Sequence, residues 1–139
     1  LMEAYDKAAE ESPKSVLAEF AYSQEEIDLC KKYGSNADVV HTDLHECLGH
    51  GSGQLLPGTS SNALKEYNSA LEESRADLFG LYYCADPIMV ELGIMPDMEA
   101  YKAAYANFIR NGLMSQLSRI ELGKNVTESH MQDRKLISE

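Results

Sequence analysis

The sequence predicts an all-α fold, on three observations. Its long segments place apolar residues at helical spacing, with none of the sustained alternation a half-buried strand shows. Residues that start and stop helices bracket those segments. At the centre lies His45-Glu46-Cys47-Leu48-Gly49-His50, a motif that makes chemical sense only on a helix. Its histidines are five residues apart. On a regular α-helix an i, i+5 pair diverges by roughly 140°, against roughly 40° for i, i+4. A one-residue π-bulge widens the local turn and lets both side chains face one point, and such bulges concentrate at functional sites. Gly49, lacking a Cβ, relieves crowding in the extra turn.

The elements follow in chain order. The opening, Leu1-Met2-Glu3-Ala4-Tyr5-Asp6, reads as part of an acidic helix and lacks a signal-peptide apolar region. Ser23 with Glu26 forms a capping box, opening a helix that Gly34 can close. Asn36 or Asp38 then starts the motif helix, which runs to about His50 and is broken by Gly51-Ser52-Gly53. A loop through Pro57-Gly58-Thr59-Ser60-Ser61 leads to a second long helix, beginning near Asn62, with Leu71, Leu78 and Tyr82 as its apolar stripe. Asp86-Pro87 starts a short helix that Gly93 ends. Tyr101, Ala104, Tyr105, Phe108 and Ile109 give the next helix a stripe that reads as core packing. The periodicity continues past Gly112 through Leu113, Leu117 and Ile120. Gly123 interrupts it, and Thr127 or Ser129 leads into a last helix from about His130 to Ile137.

Composition narrows the function. At 139 residues the chain fits one modest helical domain, 1–139, short for a complete enzyme with a substrate cleft. A net charge of −11 and a pI near 4.7 argue against nucleic acid or an anionic membrane as partner. The surplus carboxylates are expected mostly on solvated helix faces. No apolar run approaches the roughly 20 residues of a membrane span. Cys30, Cys47 and Cys84 are odd in number and have no framework spacing, so a reducing cytoplasm is the expected setting. The Asn125-Val126-Thr127 sequon is then idle.

A catalytic zinc site needs three protein ligands and an open position. His45 and His50 supply two, and the third should come from another helix. Glu72-Glu73-Ser74-Arg75-Ala76-Asp77 is the candidate, with Glu73 and Asp77 one turn apart on one face. Three carboxylates this close repel unless they face cations or neutral imidazoles. One can ligate while others accept N–H bonds from the distal histidine nitrogens. His41, four residues before His45, could form an ordinary i, i+4 pair with it. Thr42 follows His41 where a general base would be needed, so His41 reads as structural or exposed. Cys47 reads as a small buried hydrophobe on the opposite helix side. Arg75 is expected to pair with neighbouring carboxylates.

Together, His45-Glu46-x-x-Gly49-His50 and Glu72-Glu73-x-Arg75-Ala76-Asp77 resemble the paired signature of the dipeptidyl peptidase III family of zinc metallopeptidases. The resemblance implies a bulged HExxGH helix packed against an EExRAD helix in a zincin-like catalytic lobe. It implies that His45, His50 and Glu73 bind one Zn²⁺, that Glu46 activates the attacking water, and that Glu72 and Asp77 hold the ligating histidines. Ser74 and Asp77 depart mildly from the family, which often has Cys and Glu there. It also implies that His130 contacts the scissile carbonyl region and that Arg134, one turn on, helps hold the peptide. Without the resemblance, His130 on its polar helix reads as a surface residue.

The implied activity is zinc-dependent release of dipeptides from the N-terminus of peptide substrates. Family members are longer and two-lobed, with the site between lobes, so the chain is expected to be the central part of a catalytic lobe. The remaining lobe of the parent is then a necessary partner, and the piece alone is expected to have little or no activity. Two rival readings are a zincin-like endopeptidase of other specificity and a helical scaffold with a structural or vestigial metal site. A fourth protein ligand, such as His41 or Cys47, would favour the scaffold.

Overall fold

A computed structural model describes residues 16–139, and the acidic helix read at the opening lies outside them. The described chain consists of helices and connecting loops, with no strand among the described residues. After a short α1 (Val16–Phe20), helix α2 spans Gln24–Leu44 and runs directly into a π-helical turn, His45–His50. The expected bulge is therefore present, and the Gly51 N–H bonds to the Glu46 carbonyl five residues back.

Ser23 caps α2 as the sequence requires, its Oγ accepting from the Glu26 N–H at 3.2 Å. The returning bond from Glu26 falls on the Tyr22 N–H, at 2.8 Å, one residue outside the ordinary box. Gly34 does not close the helix, and neither Asn36 nor Asp38 restarts it. A mid-helix glycine costs only about 1 kcal/mol relative to alanine. Cys30, Tyr33, Ala37 and Val40 outweigh that by burying one continuous face. They pack with Ala100, Ala103 and Ala104 of α5 (Ala100–Arg110) and with Met89 and Met95 in the connection before it. An Arg110–Glu26 ion pair joins the same two helices.

Helix α3 (Asn68–Cys84) begins six residues later than expected, after a 3₁₀ turn at Lys65–Tyr67. Lys65 has φ 50°, a left-handed conformation that a helix running through from Asn62 cannot contain. The buried face of α3 is also not its apolar stripe. Leu71, Leu78 and Tyr82 are exposed, while Ser74, Ala76, Asp77, Gly80 and Cys84 are buried. The stripe is overruled because α3 meets α2 and the π turn at close range, where only small or hydrogen-bonding side chains fit. A Cβ on Gly49 would lie 2.7 Å from the Ala76 Cα, and one on Gly80 would lie 2.9 Å from the His41 ring.

Helix α4 (Ile88–Glu91) starts where Asp86-Pro87 predicts, Asp86 Oδ1 accepting from the Ile88 N–H at 2.9 Å, and Gly93 ends it at φ 71°. On α5 the core face is the alanine row plus Phe108. Tyr105 and Ile109 are exposed, which shifts the expected stripe. The helical run continues past Gly112 as a second π segment, Asn111–Gln116, then a 3₁₀ turn at Leu117–Arg119. The last helix, α6 (Ser129–Ser138), is capped by Glu128 rather than by Thr127 or Ser129. The Glu128 carboxylate accepts from the Met131 N–H at 3.0 Å. Among the described residues no helix is long and apolar enough to cross a membrane.

Candidate metal centre

The π turn, α3 and α6 meet around one carboxylate oxygen. Glu73 Oε2 lies 3.3 Å from His45 Nε2, 3.5 Å from His50 Nε2 and 3.4 Å from His130 Nε2. The two motif histidines converge because of the bulge, their ring centroids 4.7 Å apart and nearly perpendicular. Their other nitrogens are committed. His45 Nδ1 is 2.7 Å from Asp77 Oδ1, and His50 Nδ1 is 3.1 Å from Glu72 Oε1. A carboxylate only accepts, so each Nδ1 is the donor, and in the neutral imidazole each Nε2 then presents a lone pair toward Glu73. Glu73 Oε2 is itself buried without a hydrogen-bond partner.

Two lone pairs and an anionic oxygen gathered without a proton repel one another unless a cation joins them. His45, His50 and Glu73 offer donor atoms all within 4.8 Å of one another, the three-donor cluster found among the described residues. Tetrahedral ligands at bonds of about 2.0–2.1 Å stand roughly 3.3 Å apart, which matches the spacing about Glu73 Oε2. The donor set fits a divalent ion of zinc's size. His41 and Cys47 do not join it. His41 is buried edge-on to Phe108, its Nε2 3.5 Å from Asp77 Oδ1, and burial holds its pKa below the ordinary value. Cys47 is exposed, contrary to its reading as a buried hydrophobe, because the wide turn carries it away from α3.

The arrangement is clamped from α3. The Arg75 guanidinium donates to Glu72 (2.6 and 3.0 Å), to the Gly49 carbonyl at 2.7 Å and to Ser52 Oγ at 3.2 Å. It fixes the end of the π turn and, with His50, holds the Glu72 pKa down at about 2. The expected pairing of Arg75 with carboxylates is present, and its bond to the Gly49 carbonyl of the bulge adds a contact that no sequence pattern marks.

Glu46 follows His45 on the exposed side, its carboxylate left to solvent with no hydrogen-bond partner among the described residues. His130 is half exposed. Its Nδ1 lies 2.9 Å from Glu128 Oε1, and that bond pushes the imidazole pKa up. Arg134 lies on the same face one turn on, over the Phe108 ring at 3.9 Å, with Nη1 donating to the Phe108 carbonyl at 3.3 Å. Its Nε is 3.8 Å from Asp77 Oδ2. Asp133, unremarked in the sequence, is wholly buried beside Asp77. Its position at i+3 from His130 was the available sign, since i, i+3 and i+4 share a helix face.

Two histidines from one helical run and a carboxylate from a second helix make a donor set of the kind catalytic zinc sites use. The family description peptidase family M49 matches residues 6–65, which include the first motif. The chain is 27% identical to the dipeptidyl peptidase 3 of Mus musculus over 82% of its own length and 20% of that protein's. For the Rattus norvegicus dipeptidyl peptidase 3 the identity is 26%, over the same shares. The Homo sapiens dipeptidyl peptidase 3 is 28% identical over 70% of this chain and 18% of that protein. These matches agree with the resemblance: the chain is similar to peptidase family M49 over residues 6–65, and to dipeptidyl peptidase 3 over most of its own length. It spans about one fifth of the length of the curated relatives it matches.

Proposed function

We propose that this chain carries the metal centre of a zinc-dependent exopeptidase that releases dipeptides from the N-terminus of peptides. The observation that supports the reading best is the convergence of His45 Nε2 and His50 Nε2 on the buried, unpartnered Glu73 Oε2. His45, His50 and Glu73 are the proposed ligands of one Zn²⁺, whose bound chemistry is Lewis acidity and a lowered pKa for its water. Asp77 and Glu72 hold the two imidazoles in the Nδ1–H tautomer, which leaves each Nε2 free to ligate. Glu46 takes the proton of the attacking water and delivers it to the leaving amine. His130, on the open side of the cluster, donates to the developing oxyanion. Arg134 holds the peptide, a role that requires its guanidinium to leave the Phe108 ring.

Chain 1–139 is proposed to be one helical unit of a catalytic lobe, with the rest of the parent enzyme anchoring the substrate N-terminus. Positioning supplies much of the rate, so the unit alone should turn over little or no peptide. Its three free cysteines suit a reducing cytoplasm. The scaffold reading finds no support in a fourth ligand, since His41 and Cys47 lie outside the cluster.

Elemental analysis and zinc titration of the purified chain test the centre. One zinc per chain is expected, lost in Glu73→Ala; unchanged affinity in that variant would remove Glu73 from the ligand set. In the full-length enzyme Glu46→Ala should keep zinc and abolish turnover, and loss of the metal would show that Glu46 is misassigned. Dipeptidyl-arylamide substrates given to the full-length enzyme separate dipeptide release from endopeptidase action.

A further inference from the structure

The buried charge that this chemistry leaves unused is Asp133. Its side chain is wholly buried on α6 against Asp77 and Ser74 of α3. The Ser74 hydroxyl spends its only hydrogen on the Ala70 carbonyl, at 2.8 Å, and has none for Asp133. Both Asp133 oxygens and Asp77 Oδ2 are consequently buried without a donor. Two carboxylates in contact away from water do not both ionise. A single proton between them removes the repulsion and provides the missing donor.

The surroundings decide which residue carries it. Asp77 faces His45 Nδ1 at 2.7 Å, His41 Nε2 at 3.5 Å and Arg134 Nε at 3.8 Å, all groups that favour an anion. Asp133 faces Asp77 and Ser74 from α3, and its neighbour Arg134 is turned toward Phe108 and Asp77. From α5 and the second π segment, Phe108 and Gly112 lie against Arg134, and neither is ionisable.

We propose that Asp133 is a positioning residue: a neutral carboxylic acid whose O–H donates to Asp77 and holds that anion against His45 Nδ1. The acid thereby fixes the tautomer and aim of an imidazole it never touches. Burial, and then the Asp77 carboxylate, push its pKa up to about 8, in keeping with a retained proton at neutral pH. Only the last link, from Asp77 to His45, depends on reading His45 as a metal ligand.

Infrared spectroscopy of the ¹³C-aspartate-labelled chain at pH 7, where exposed aspartates are ionised, tests the proton directly. A protonated-carboxyl stretch is expected in the wild type and should vanish in Asp133→Asn. Its absence from the wild type would overturn the proposal, whether or not the variant folds. Zinc affinity by chelator competition tests the positioning. Asp133→Asn keeps a donor and should bind zinc within about twofold of wild type, whereas Asp133→Ala should bind about tenfold more weakly. Equal affinity in all three proteins, or equal loss in both variants, would overturn the positioning role. A wild type that binds no zinc would sink the metal reading and that role together, with the infrared band still deciding the proton.

Discussion

The two halves of α2 make two different cores from one helix. The N-terminal half packs Cys30, Tyr33, Ala37 and Val40 against the alanine row of α5, an apolar contact of the ordinary kind. The C-terminal end and the π turn present His41, His45 and His50 to Glu72, Glu73 and Asp77, a partly buried contact rich in polar groups. The first half gains from excluding water and tolerates modest changes of shape. The second gains nothing from water exclusion unless every donor finds an acceptor. It therefore depends on backbones held close enough for short side chains to reach.

That difference can be broken most sharply at Gly49. Gly49→Val would drive a branched side chain into Ala76, where even a Cβ would be within 2.9 Å of three of its atoms. It should cost about 3 kcal/mol or more, as overpacking does, and abolish zinc binding; unfolding with zinc titration checks both. Val40→Ala in the apolar half should cost about 1–3 kcal/mol but leave zinc affinity of the folded chain unchanged. A loss of affinity there would erase the distinction.

Acidity sharpens the comparison. Asp133 has a folded pKa raised to about 8 from 3.8, so folding retains a proton that the unfolded chain has lost. Its contribution is fully present below pH 3.8 and falls as the pH rises toward 8. Asp133→Asn should consequently gain stability over the wild type progressively across that range, measured in the metal-free chain. The reverse slope would mean an ionised Asp133. The smallest effect belongs to the outer face of α3, where Leu78→Ser should shift stability by no more than about 0.5 kcal/mol, since Leu78 is exposed.

What was legible follows the same division. The i, i+5 spacing of His45 and His50 forced the bulge, and capping residues marked where α2 and α4 begin. The stripe on α3 misled because its period is real but its face was decided by Gly49, Gly80 and the histidines opposite. Spacing alone cannot say that a helix buries its small residues and exposes its leucines. Lys65 halted α3 through a left-handed backbone that lysine rarely adopts. Arg75 and Asp133 were hidden for a different reason. Each meets a carbonyl or a carboxylate supplied by another helix; the i+3 place of Asp133 from His130 marks its helix face, but no local pattern announces the partner across the contact.

The unbroken passage through Gly34 has a mechanical consequence. At 1.5 Å per residue, α2 is a strut about 30 Å long, anchored at one end by apolar packing and bearing His45 at the other. A hinge at Gly34 would let the histidine end wander independently; a single rod makes the two ends share their fluctuations. Amide exchange along α2 should therefore show one opening event from Cys30 to His41, so that loosening the far anchor is felt as blurred aim of His45 toward Glu73.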